Sequence, residues 1–166
     1  MTRVRTVRLP ADVPLSAVSV DGTQKDTRHH ENGTTSLQFT GILRVNGQIV
    51  LSPGQLLSLW MGQAVIDYEV ADATLLPDAA MPAGDVARIS AYAVGANTAL
   101  QVRQLGYPDE KVAAVLELAR EKTSTEGRET ASTPAHHAQL TAVDSILGEM
   151  ITAWRQALMF EWSNDD

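Results

Sequence analysis

"GILRVNGQIVLSPGQLL", residues 41–57, is where the chain passes from strand periodicity to helix periodicity. Asn46-Gly47 is the favoured two-residue turn of a β-hairpin, because both central positions must accept positive φ. Counting outward pairs Val45 with Gln48, Leu43 with Val50, and Ile42 with Leu51. Leu43 and Val50 then share one face and Ile42 and Leu51 the other. A hairpin apolar on both sides predicts a sandwiched or partner-facing sheet. Directly after it, Ser52 takes the N-cap position, Pro53 the first helical position, and Gln55 the third, completing a capping box. Leu51 and Leu56 bracket that cap as a hydrophobic staple. A hairpin feeding straight into a helix predicts an α+β fold: β-rich over 1–51, helical over 52–122, with a long C-terminal helix on a linker.

Upstream, "TRVRTVRL" and "LSAVSV" are β-prone runs separated by Pro10 and Pro14, which predicts edge strands or an extended arm. "DGTQKDTRHHENGTT" (21–35) is polar and rich in turn signals, predicting a long exposed loop or a flexible hairpin tip. Downstream, Leu56, Trp60, Ala64 and Tyr68 fall at helical spacing, while residues 64–75 fit either a helix or a strand. "LPDAAMPAGD" (76–85) is a breaker segment with two prolines. From Asp85 to Leu105 a helix is predicted to turn Val86, Ile89, Ala93, Ala96 and Leu100 inward. Its small residues Ala91, Ala93, Gly95 and Ala96 would let another helix approach closely. Gly106 then stands where a helix ends, and Pro108 opens the next one, with Asp109 and Glu110 complementing its dipole. That helix is predicted to bury Val112, Val115, Leu116 and Ala119 and to stop near Lys122.

Residues 123–133, "TSTEGRETAST", carry no apolar side chain larger than Ala131 and predict a flexible linker. Thr133 caps and Pro134 begins an amphipathic helix over 134–162, about 40 Å long at 1.5 Å per residue. Its stripe is Leu140, Val143, Leu147, Met150, Trp154 and Leu158. A helix of that length on a tether can dock on its own domain or on a neighbouring subunit. Leu43, Val50, Leu147, Met150, Trp154, Leu158 and Trp162 are therefore the expected partner contacts.

The 166 residues fit one domain, or one with an appended arm, and a 44% hydrophobic content supplies a core. Absence of cysteine excludes disulfides, thiolate nucleophiles and cysteine-based zinc sites, which fits an intracellular or virion protein. The net charge of −7 divides unevenly, about +2 over residues 1–50 and −9 over 51–166. Duplex binding draws its affinity from a basic face, and six scattered cations in the first fifty residues do not write one. No run of about 18 apolar residues occurs. "MTRVRTVRLP" lacks an apolar signal region, so a soluble cytoplasmic protein with no membrane partner is expected.

Catalytic groupings are missing from the sequence. His29-His30 and His136-His137 are adjacent pairs whose side chains diverge, without HExxH spacing, so no metal is expected. There is no GxSxG elbow, no phosphate-binding glycine loop, and the Ser52 hydroxyl is already spent as a cap. Asp67 and Glu69 share a face only on a strand, a weak acid–base candidate. No cofactor is expected.

The corner "QLGYPDEK" (104–111) could belong to a DNA-reading helix-turn-helix, but "PDEK" in the second helix would set two carboxylates against phosphate. "LGYPDEKVAAVLELA" resembles the loop-and-helix part of ubiquitin-associated modules over about fifteen residues. "NTALQVRQLGYPDEKVAAVLELARE" (97–121) resembles the helix, glycine-aromatic-proline corner and helix near the C-terminal end of tailed-bacteriophage portal proteins, where a polar tail commonly follows. The chain is far shorter than a portal and lacks its stem and wing regions, so no functional residue is carried over. The resemblance implies a virion or assembly role. The expectation is a non-enzymatic structural protein such as a connector, minor capsid or tail-associated subunit, present in host cytoplasm and virion, as a homo-oligomer or part of a larger assembly. The alternative is an acidic inhibitor or immunity-type protein covering a basic site on a nucleic-acid-handling enzyme.

Overall fold

A computed structural model describes residues 3–74, 83–130 and 133–163. Its elements are β1 (Val4–Leu9), β2 (Val18–His29), β3 (Thr35–Val45), β4 (Gln48–Val50), α1 (Pro53–Thr74), α2 (Ala83–Gln104), α3 (Glu110–Thr130), α4 (Pro134–Ala157) and β5 (Glu161–Ser163). The fold is α+β: an antiparallel sheet followed by helices, including the long C-terminal α4. The chain divides into two compact units, Met1–Gln55 with Arg155–Asp166, and Leu56–Trp154.

In the first unit the strand order is β2-β3-β1-β5, with β4 also paired to β3. The hairpin register is as counted from the turn: Val45 opposite Gln48 and Leu43 opposite Val50, with Asn46 at φ 51 and Gly47 at φ 79. The ladder ends at Val50, so Ile42 is paired with Asp21 of β2 and not with Leu51. One face of the sheet holds the core of Val7, Leu9, Leu37, Phe39, Leu43, Val50 and Phe160. On the other face Ile42 and Ile49 are exposed.

Two expectations for the N-terminal third hold only in part. The run at 15–20 leads into the edge strand β2, and residues 30–34 form the tip of the β2–β3 hairpin, but the rest differs. β1 is flanked by β3 along its length and by β5 at Thr6–Arg8, so it is an interior strand and not an arm. Residues 21–29 are strand and not loop, because a full ladder to β3 outweighs their weak β propensity. β2 is the strand at the outer edge, and it is charged and bulged between Gln24 and Asp26 around Lys25. Those are the features that discourage edge-to-edge pairing.

The capping box closes in both directions. The Gln55 N–H donates to Ser52 Oγ at 3.1 Å, and the Ser52 N–H donates to Gln55 Oε1 at 2.9 Å. Ser52 is fully buried, so Ser52→Ala leaves an N–H without its acceptor and is expected to cost about 1 kcal/mol. Urea denaturation followed by helical circular dichroism measures this, and an unchanged midpoint would remove the cap from the list of stabilising contacts.

α1 runs through residues 64–74, settling the helix-or-strand alternative there as helix. The breaker segment lies outside the described residues up to Pro82. α3 continues to Thr130, through most of the stretch read as linker. Its Ser, Thr and Gly residues are weak helix formers, but no proline interrupts the nucleated helix, and the Thr123 hydroxyl donates back to the Ala119 carbonyl at 2.8 Å. α4 starts with the expected cap, the His136 N–H donating to Thr133 Oγ1 at 3.1 Å, but it ends at Ala157. Trp162 therefore stands on a strand and not on the last helix.

In the second unit, the buried residues of α2 are Ala87, Ala91, Gly95, Ala96, Ala99 and Val102; of the expected stripe Ala96 is buried, while Val86, Ile89 and Ala93 are only half-buried. Leu100 and Val94 point outward instead. A stripe of small residues lets neighbours come close. A Cβ on Gly95 would strike the Met150 side chain and sit 3.4 Å from the Trp60 ring.

Candidate functional site

The corner between α2 and α3 is built for rigidity. Gly106, at φ 81, donates to the Arg103 carbonyl and Tyr107 donates to the Val102 carbonyl, both at 3.1 Å, the paired bonds of a Schellman cap. Arg103 grips Asp109 with Nε and Nη2, each at 3.1 Å, and its guanidinium lies 5.9 Å from the Trp154 ring centroid. The Trp154 indole N–H donates to the Asp109 carbonyl at 2.8 Å, and its ring packs 5.5 Å from that of Trp60. The Asp109 carboxylate is thus engaged inside the unit. A second fork, Arg120 on Asp144 at 3.0 and 3.3 Å, ties α3 to α4.

Around this rigid frame, large apolar side chains face outward. Leu105 is 72% exposed, Tyr107 57% and Leu118 65%. Val115, expected in the core, is also exposed and lies one turn from Leu118 on the same face of α3. On α1, Met61 and Val65 are exposed four residues apart, and Leu59 is exposed beside them in sequence.

The residues expected to meet a partner lie elsewhere. Leu43 and Val50 are in the sheet's core, while Leu147, Met150 and Trp154 are in the core of the helical unit. Leu158 and Trp162 are half-buried. The Trp162 indole N–H donates to the Ala157 carbonyl at 3.0 Å, and its ring lies 6.3 Å from Phe160. For Leu43, Val50, Leu147, Met150 and Trp154 the apolar pattern is satisfied within the chain. Periodicity locates an apolar stripe but does not say which molecule covers it. Leu105, Tyr107 and Leu118 were visible in the sequence only as residues outside the expected buried stripe, whereas Val115 was counted within it.

A polar site lies on the solvent face of the sheet. Thr6, Arg8, Asp26, Arg28, His30, Ser36 and Gln38 line a concavity of about 350 Å³. Register sets Arg8 opposite Ser36 and Ser36 opposite Arg28, with Thr6, Gln38 and Asp26 in the next row. His30 Nε2 lies 2.7 Å from Ser36 Oγ. Desolvation, with Arg8, Arg28 and His29 nearby, holds the His30 imidazole below its usual pKa. His29 is 3.2 Å from Thr35 Oγ1 through Nδ1, so each histidine of this pair has a hydroxyl neighbour. Among the described residues no group of three metal-ligating side chains forms, and no helix is long and apolar enough to cross a membrane. No protein-family model, curated protein or solved structure matches the chain.

Proposed function

We propose that this protein is a non-enzymatic assembly component that works through protein–protein contacts, as a homo-oligomer or as a subunit of a larger structure. The observation that carries the reading is the outward set Leu105, Tyr107, Val115 and Leu118, displayed on a corner held rigid by Arg103, Asp109 and Trp154. Exposed apolar side chains on a pre-ordered frame lose little entropy on docking, which favours association. The resemblance of residues 97–121 to the corner of phage portal proteins supports a virion setting: a connector, minor capsid or tail-associated subunit, made in host cytoplasm.

Sedimentation velocity over a range of concentrations tests this. The protein is expected to associate, and Leu118→Glu is expected to weaken association by at least about tenfold, the effect of losing roughly 1.4 kcal/mol. Leu118 is on the surface, so the variant should keep the parent's thermal midpoint. A strictly monomeric chain at high concentration would count against self-assembly. If it then bound a basic partner with steep salt dependence, the acidic-inhibitor reading would replace this one.

A further inference from the structure

The sheet's solvent face holds a row of charge that the assembly role leaves unused. Across four strands the row reads Glu161, Arg8, Ser36, Arg28. Neighbouring strands are about 4.8 Å apart, so the two arginines rise about 10 Å from each other with the small Ser36 between them. The concavity opens over the serine, bounded on one side by the His30 imidazole that bonds its hydroxyl. Arg8 pairs with Glu161 at 3.6 Å, and both side chains are well exposed, so that pair is weak. Arg28 forms no ion pair among the described residues.

We propose that this concavity binds a phosphate group, seated over Ser36 between the guanidinium groups of Arg8 and Arg28. Arginine's planar fork matches phosphate oxygens two at a time, and the Ser36 hydroxyl supplies a donor from below. His30 Nε2 lies 2.7 Å from that hydroxyl, so the neutral pair shares one proton and gains a second outward donor and a charge when the imidazole is protonated. Two guanidinium groups with a histidine that can protonate offer more positive charge than a single carboxylate balances, which favours a dianionic phosphate. The opposing groups are Asp26 of β2 and Glu161 of β5. Asp26 Oδ1 accepts from the Thr27 N–H at 2.9 Å, and Glu161 competes for Arg8 only through a long, exposed pair at 3.6 Å that a dianion would displace. His30 is faced by Arg8 from β1, by Arg28, His29 and Asp26 from β2, and by Ser36 from β3. Desolvation is the largest cause of its lowered pKa and remains on binding, but the repulsion from Arg8 and Arg28 would be offset by a bound dianion, so binding should raise its midpoint and tighten as pH falls.

The test is an NMR titration of the full chain with inorganic phosphate and, separately, with glycerol 3-phosphate, at constant ionic strength set by sodium chloride. Saturable shifts are expected at the Ser36 and Arg28 amides, together with an upward move of the His30 titration midpoint. Tighter binding of the monoester would identify a small organic phosphate as the ligand, and equal binding the free ion. Arg28→Gln is expected to weaken binding by about tenfold or more, the effect of losing a charge-assisted hydrogen bond. Arg44→Gln should leave it unchanged, because Arg44 is occupied by Asp21 at 2.7 Å and by the Gly47 carbonyl at 3.1 Å. Retained spectral dispersion in both variants shows that they fold. Non-saturating shifts of equal size at His136 and His137, or undiminished affinity in Arg28→Gln, would overturn the site.

Discussion

Trp154→Ala is expected to destabilise the helical unit by about 3–5 kcal/mol, the range for emptying a large aromatic site in a core. Its ring is fully buried, it packs on Trp60, and its N–H is the donor to the Asp109 carbonyl. Truncation opens a cavity beside Trp60 and removes the ring over which Arg103 lies. Of a stability typically about 5–15 kcal/mol, that is a large share. Trp154→Phe separates the two contributions. It keeps most of the buried area and loses the hydrogen bond, so it should cost nearer 1 kcal/mol beyond the small loss of volume. Guanidinium denaturation followed by helical circular dichroism distinguishes them. If the alanine variant lay within about 1 kcal/mol of the parent, the claim that this tryptophan anchors the corner would be wrong.

The second large effect is expected in the sheet, at Gly41. Gly22 and Gly41 are directly opposed on β2 and β3, and the two backbones pass unusually close there. A Cβ on Gly41 would run into the Asp21 carbonyl, and one on Gly22 into the Thr40 carbonyl. Gly41 also sits at φ 96, which an L side chain adopts only with strain. Backbone cannot step aside as a flexible side chain can, so Gly41→Ala is expected to cost on the order of 3 kcal/mol or more. Gly47→Ala is the comparison. Its φ of 79 is equally left-handed, but no atom lies within 4 Å of the added carbon. It should therefore lose only about 1–2 kcal/mol. Equal thermal shifts in the two variants would show that conformation alone, and not the close approach, fixes glycine at 41.

Much of the helical half was legible in the sequence. Ser52 with Gln55, Gly106 with Pro108, and Thr133 with Pro134 mark helix ends by local chemistry, and local chemistry survives whatever the rest of the chain does. The Asn46-Gly47 hairpin was legible for the same reason. What sequence could not decide was set by partners distant along the chain. Residues 21–29 look like loop because strand formation there depends on pairing with β3. β1 looks like an edge because the strand on its far side, at 161–163, follows about 150 residues later, and no spacing rule reaches so far. Trp162 looked like a helix residue because Ala157 carries no stop signal of its own. The candidate site was less legible than the fold. Arg8, Arg28 and Ser36 are far apart in sequence and meet only through register, whereas Val115 read as core by its spacing from Val112 and Leu116 and is exposed beside Leu118.

The pairing of β1 with β5 also governs the order in which the sheet can form. β1, β2, β3 and β4 lie within the first fifty residues and can pair as soon as they leave the ribosome. The outer edge of β1 at Thr6–Arg8 stays open until Glu161–Ser163 has been made, after all four helices. Phe160 belongs to the sheet's core, so the nascent sheet also lacks part of its apolar filling during that interval. Closing so long a loop is an entropic cost met late, and such non-local pairings slow folding. A nascent chain stalled before residue 160 would present an unpaired strand edge beside an incompletely filled core, an aggregation-prone state that ends when the final strand docks.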